Sequence, residues 1–166
     1  MSTAILYMSR HGSAEKSARL LSEKVNGSIT LFDLRKSEPS QLDVFDTIII
    51  GGSIHFGRVQ DRIKKFCQKN EQILLKKTLG LYLCCMKKGE TAQQQFIDAF
   101  PTSLRQHAIV KGIFGGEFMF EKMNFLEKII VRQIANVKES ISKIDETVIN
   151  HFADNISSDQ LTESRL

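Results

Sequence analysis

With 166 residues, 42% of them hydrophobic and 25% charged, the chain has the length and balance of one soluble globular domain. No run approaches the ~18 uninterrupted apolar residues that a membrane span requires. The start lacks a basic region and a cleavage site, so no secretory leader and a cytoplasmic location are expected. The net charge of +4 and a pI near 9.0 would suit an acidic partner or anionic lipid. The lysines and arginines are spread along the chain with no basic run interleaved with aromatics, which argues against nucleic-acid binding.

In chain order, residues 4–8 form a short apolar run that reads as a buried strand. Residues 13–25 follow with helical spacing, placing Ala14, Ala18, Leu21 and Val25 on one face. A second strand is predicted over 28–34, and a third over 47–50, running into Gly51, Gly52 and Ser53. Residues 59–75 have a helical period, with Ile63, Phe66, Cys67 and Leu74 inward. A fourth strand is predicted over 79–86, then a helix over 91–100 stopped by Pro101. A fifth strand spans 108–114. Asp145 is placed to cap a last helix carrying Val148, Ile149, Phe152 and Ile156. A polar tail, expected to fray, is assigned to 157–166.

Five apolar strands separated by helices predict one doubly wound α/β domain over 1–156, with a parallel sheet and right-handed crossovers. Such sheets bind ligands beyond the carboxyl ends of their strands, at the switch point. The loops after strands one, three and four are therefore where a function should lie.

The first of these loops contains Ser9, Arg10, His11, Gly12, Ser13 and Ala14. Two hydroxyls, a glycine at the turn and a helix N-terminus behind it suit a phosphate, since free N–H groups and the helix dipole favour an anion. The same residues also suit a plain turn and helix cap. The Gly-Lys-Ser/Thr ending of a nucleotide P-loop is absent, as is the GxGxxG fingerprint. After strand three come Ser53, Ile54, His55, Phe56 and Gly57, behind a glycine pair that lets backbone approach a ligand, with Phe56 as a flat surface for a ring. After strand four come Cys85, Met86, Lys87, Lys88 and Gly89. The lysines there are either charges near a bound ring or solvated turn residues.

The cysteines (Cys67, Cys84, Cys85) number three, two of them adjacent, and read as reduced, buried thiols. The four histidines are scattered at 11, 55, 107 and 151, without metal-type spacing, so no metal is expected.

These loops carry a resemblance. The sequence is similar to the flavodoxin-like superfamily, whose phosphate loop usually reads Thr/Ser-x-Thr-Gly-x-Thr. Within it, the chain most resembles the menaquinone-linked, FMN-dependent protoporphyrinogen oxidases of bacteria. The more specific motif is Gly51-Gly52-Ser53-Ile54-His55-Phe56-Gly57, matching a Gly-x-Ser-Ile-x-aromatic-Gly stretch. The likeness covers about residues 4–156. It implies a three-layer, doubly wound flavodoxin-like fold with a five-stranded parallel sheet. It also implies a non-covalent FMN, its phosphate on 9–14 and its ring between 53–57 and 85–89. A positive charge near the N1 and O2 edge would then raise the flavin potential. Two positions depart from the usual pattern: Ala14 replaces a hydroxyl residue and His11 stands where flavodoxins carry threonine.

Residues 118–137 have no place in a minimal five-strand flavodoxin. Met119, Met123, Leu126, Ile130, Ile134 and Val137 recur at helical intervals, predicting an extra amphipathic helix. Its apolar stripe would pack on the protein's own sheet, on a second copy in a homodimer, or against substrate or the cytoplasmic side of a membrane. The resemblance favours an oxidoreductase passing electrons from a tetrapyrrole to a quinone-type acceptor, with the cofactor rather than a side chain carrying the chemistry. The alternative is a flavodoxin carrier shuttling electrons between redox-partner proteins, although carriers of that kind are strongly acidic.

Overall fold

The computed structural model describes residues 1–118, 120–135 and 140–163. The first half runs β1 (Ser2–Met8), α1 (Ser13–Lys24), β2 (Ser28–Asp33), β3 (Thr47–His55), β4 (Arg58–Val59), α2 (Asp61–Lys69) and α3 (Glu71–Leu74). The second runs β5 (Thr78–Cys84), α4 (Gly89–Ala99), α5 (Thr102–His107), β6 (Val110–Ile113), β7 (Glu117–Phe118), α6 (Phe125–Ala135), β8 (Ile141–Ser142) and α7 (Glu146–Glu163).

The parallel sheet has the order β2-β1-β3-β5-β6, with β4 folding back antiparallel on the end of β3. Its register sets Ile5 between Leu31 and Ile49, and Ile50 beside Leu81. Because side chains alternate across a strand, neighbouring residues serve opposite faces. Leu6, Ile48, Ile50, Leu81 and Leu83 pack on Ile63 and Phe66 of α2 and Phe96 of α4. Ile5, Ile49 and Tyr82 pack on Ala14, Ala18 and Leu21 of α1 and on Ile149, Phe152 and Ile156 of α7. Three layers result, as the alternation of elements predicts.

Several boundaries differ from the sequence reading, each for a local reason. The third strand runs on through Gly51, Gly52, Ser53, Ile54 and His55, so these residues are strand rather than loop. The glycine pair serves packing: a Cβ on Gly51 would lie 1.8 Å from Tyr82 Cζ, and one on Gly52 would lie 2.7 Å from Val59 Cγ2. The helix expected over 59–75 is two helices, broken where the Asn70 side chain donates to the Phe66 carbonyl at 2.9 Å. Asp145 caps α7 as expected, its Oδ1 accepting from the N–H of Thr147 and Val148. That helix continues to Glu163, past the predicted start of the tail.

The segment 118–137 departs furthest. Helix α6 begins only at Phe125, after β7 and a single 3-10 turn over Phe120–Lys122. A reciprocal capping box fixes that start: Glu127 N–H donates to Asn124 Oδ1 at 2.8 Å, and Asn124 N–H donates to Glu127 Oε2 at 3.0 Å. Met123, just before the helix, and Glu127 in its first turn are buried, while Leu126 of the predicted stripe is 68% exposed. Met119, Val137 and the side chain of Ile134 lie outside the described residues.

Candidate functional site

Beyond the carboxyl ends of β1, β3 and β5 lies a cavity of about 640 Å³, within the range of small-molecule and cofactor sites. Its floor comes from Arg10, His11 and Ser13, then from Ser53, Ile54, His55, Phe56 and Gly57, then from Cys85, Met86 and Lys87. The three loops named from sequence thus meet at one place. Its roof was not foreseen: Met123, Glu127 and Ile130 of the α6 arm, with Ile141 and Lys143 behind them. Cys84, Gln95, Gly116 and Glu117 complete the lining.

Within the first loop, the residues divide their tasks. Ser9 is buried and its Oγ accepts from the N–H of Gly12 at 2.9 Å and of Ala14 at 3.2 Å, so it folds the loop. Gly12 turns the chain into α1 with φ 105, a left-handed conformation that favours glycine. Ala14 lies wholly in the core and its carbonyl accepts from Tyr82 Oη. Ser13 lines the cavity at the first turn of α1. The second loop is a tight turn in which Phe56, at φ 48 and 59% exposed, stands against the cavity beside His55, ring centroids 4.2 Å apart. In the third, Lys88 and Gly89 belong to an adjoining cavity of about 360 Å³ and to the start of α4.

The α6 arm is tied down at two points, both on the first loop and its helix. Glu117 meets Lys16 Nζ at 2.6 Å and accepts from Ser142 Oγ. Glu127 Oε1 meets Arg10 Nη2 at 2.9 Å and lies 3.7 Å from Nε2 of both His11 and His55. Burial would raise the Glu127 carboxyl, but the Asn124 N–H with His11, Arg10 and His55 outweighs it and holds the group below the usual carboxylate range. For His55, burial is the largest influence; with Arg10 and His11 it pushes the imidazole down against the pull of Glu127. Neither acid could be recognised from sequence, since both look like polar members of an amphipathic segment; the Asn124–Glu127 spacing was the one available signal.

A family model described as "Flavodoxin domain" matches residues 4–145. The chain belongs to the flavodoxin domain family. No curated protein matches its sequence significantly. Among solved structures, oxidised Flavodoxin 1 from Bacillus cereus is similar with a TM-score of 0.61 at 16% identity, covering 95% of this chain and 98% of that one. Flavodoxin 2 from Bacillus cereus gives 0.59 at 18% identity, over 96% and 99%. A flavodoxin, WrbA-like protein from Agrobacterium tumefaciens gives 0.58 at 15% identity, over 98% of each. At these identities the likeness concerns the fold.

FMN is the cofactor of flavodoxin domains, and the residues of this flavodoxin-domain cavity fit it. Ser13 at the first turn of α1 and the aromatic Phe56 both line the cavity, and Oε1 of the lining Gln95, on α4, is buried without a hydrogen-bond partner. Among the described residues no helix is long and apolar enough to cross a membrane.

Proposed function

We propose that this flavodoxin-domain protein is an FMN-dependent oxidoreductase resembling the protoporphyrinogen oxidases, passing electrons from a tetrapyrrole to a quinone-type acceptor. The observation that carries the reading is the α6 arm. Met123, Ile130 and Ile141 roof the cavity with apolar side chains, making a chamber for a substrate where a carrier needs only an exposed ring edge.

In this reading Ser13, at the positive N-terminal end of α1, binds the phosphate, and Arg10 adds positive charge at that end. Phe56 covers a face of the ring, while Ile54 and Met86 exclude water from it. When bound, the flavin supplies the group that takes up and releases electrons. Lys87 and Lys143, both on the lining, attract an anionic substrate and suit the carboxylates of a tetrapyrrole. The outer face of α6 presents Phe125 and Leu126, 76% and 68% exposed, which is the apolar surface a peripheral membrane contact to a quinone pool would use.

The alternative is an electron carrier for redox-partner proteins, a reading favoured by similarity to flavodoxins across almost the whole chain. Anaerobic assay of the FMN-loaded protein with protoporphyrinogen and menadione separates the two. Oxidation above the uncatalysed rate supports the oxidase; none, with the flavin still reducible by a reductase, leaves the carrier. Failure to retain or take up FMN removes both.

A further inference from the structure

The cluster of His11, His55 and Glu127 has a property beyond the flavin reading, and it does not depend on that reading. The three side chains come from separate places in the chain: the loop after β1, the end of β3 and the first turn of α6. One ligand-type atom from each lies within 4.8 Å of the other two. Both imidazole Nε2 atoms stand 3.7 Å from the same Glu127 Oε1. For bonds of about 2.0–2.2 Å to a tetrahedral ion, neighbouring ligand atoms lie roughly 3.3–3.6 Å apart. The carboxylate–imidazole separations already approach that spacing, and the two rings would close on each other from a distance of at most 4.8 Å.

One of these atoms has no hydrogen-bond partner, and another is held by a solvent-exposed arginine. His55 Nε2 is buried without a hydrogen-bond partner, and Glu127 Oε1 is buried with Arg10 Nη2 as its ion-pair partner at 2.9 Å. Buried polar atoms are ordinarily satisfied, so an orphaned imidazole nitrogen 3.7 Å from a carboxylate oxygen calls for an explanation. Glu127 Oε2 is committed to the capping box with Asn124, which aims Oε1 at the histidines and fixes the carboxylate in place. The side chains are 14%, 18% and 8% exposed for His11, His55 and Glu127, and all three line the cavity.

We propose that His11, His55 and Glu127 form a binding site for a divalent transition ion of the Zn²⁺ type. Two imidazoles and one carboxylate give the borderline donor set such ions prefer, and three protein ligands leave a coordination position open to the cavity. The ion would pin α6 to the ends of β1 and β3, holding the roof closed. Arg10 is its competitor: the guanidinium sits 2.9 Å from Glu127 Oε1, but its side chain is 54% exposed and free to swing out to solvent.

The test is equilibrium dialysis of the full-length, chelator-treated protein against Zn²⁺, with bound metal measured by elemental analysis. One ion per chain is expected. His55→Ala and Glu127→Gln should each weaken binding by about tenfold or more, and the glutamine retains an oxygen for the capping box. Replacing His107 or His151, which lie elsewhere, should change nothing. Arg10→Ala should tighten binding, a gain that misfolding cannot imitate. Absence of stoichiometric Zn²⁺, or Zn²⁺ held equally well by both His55→Ala and Glu127→Gln, would overturn the proposal. Because the readout is metal content, it stands or falls separately from FMN binding and oxidase activity.

Discussion

The ring of Tyr82 fills the space in which a side chain at Gly51 would begin, with Tyr82 Cζ 1.8 Å from where a Cβ would stand. The two residues are cross-strand neighbours in β3 and β5. The ring is fully buried, stacks on Phe114 with centroids 4.8 Å apart, and donates its hydroxyl to the Ala14 carbonyl at 2.9 Å. It therefore links the middle of the sheet to the first turn of α1.

Gly51→Ala forces that ring to move against a packed core, an overpacking cost of about 3 kcal/mol or more. For a chain of this size the melting temperature should fall by roughly 6–12 °C. Thermal unfolding followed by circular dichroism reads it directly. A melt within about 2 °C of the parent protein would show that the ring can relocate and that the contact does not constrain the sheet.

Phe56 poses the reverse case, a side chain kept despite its backbone. Its φ of 48 is left-handed, a conformation that costs a non-glycine residue about 1–2 kcal/mol. Phe56→Gly relieves that strain and removes an exposed ring, so stability should hold or rise slightly. If Phe56 covers the flavin, loss of an aromatic contact worth about 0.5–1.5 kcal/mol weakens FMN affinity roughly two- to tenfold. Fluorescence titration with FMN tests this; unchanged affinity would place the ring elsewhere.

What was legible in the sequence followed from periodicity. The unbroken apolar run of Ala4, Ile5 and Leu6, buried on both faces of the sheet, and the spacing of Ala14, Ala18 and Leu21 are dictated by which faces must be buried, so strands and helices emerged in the right order. Position relative to strand ends then brought the three loops to one cavity. The roof was hidden because its inward face includes charge. A hydrophobic stripe drawn through Leu126 places Glu127 outside, whereas the capping box and Arg10 draw Glu127 in. The neighbouring histidines were hidden for another reason: His11 and His55 are 44 positions apart, and only the pairing of β1 with β3 makes them neighbours. The glycine pair was legible as a tight spot but its partner, Tyr82, was not, because cross-strand register is a property of the fold.

The cysteines bear on the reading of reduced, buried thiols. Burial pushes Cys84 up to about 12, with the Ser17 hydroxyl pulling against it and Cys85 and Glu117 adding to it. Burial pushes Cys67 up to about 12 as well. Only about one part in ten thousand of such a thiol is thiolate at pH 8, so alkylation should run about a thousandfold slower than for a free cysteine. Maleimide labelling mapped by mass spectrometry should find Cys67 and Cys84 protected until the chain is denatured. Rapid native labelling of Cys84 would mean that the cavity wall opens.

Asp33 ends β2 and receives the Arg35 side chain twice, Nε at 3.0 Å and Nη2 at 2.7 Å. Its hydrogen bond from the Arg35 side chain is the main cause that holds the carboxyl below its ordinary range, against the opposing effect of burial. A carboxyl with a lowered folded-state pKa stabilises the fold above its unfolded value, and that contribution is lost as pH falls through the folded value. The melting-temperature difference between the parent protein and Asp33→Asn should thus be constant at neutral pH and shrink below about pH 4. A difference that does not change down to pH 2 would mean that the pair contributes no linked stability.

The α6 arm makes opposite predictions for two similar residues. Met123 is 6% exposed and roofs the cavity, whereas Leu126, three positions on, is 68% exposed. Met123→Ala should cost about 2–5 kcal/mol if the roof is packed as the core is. Leu126→Ser should change stability by no more than about 0.5 kcal/mol, since an exposed side chain loses little. If Phe125 and Leu126 meet a membrane surface, that same substitution should lower sedimentation with anionic vesicles while leaving FMN content unchanged. Equal vesicle binding by the parent and Leu126→Ser would remove the membrane role. A large loss of stability in Leu126→Ser would show that this face is covered, as it would be in a homodimer, and sedimentation of the parent protein in the absence of vesicles would then report the larger species.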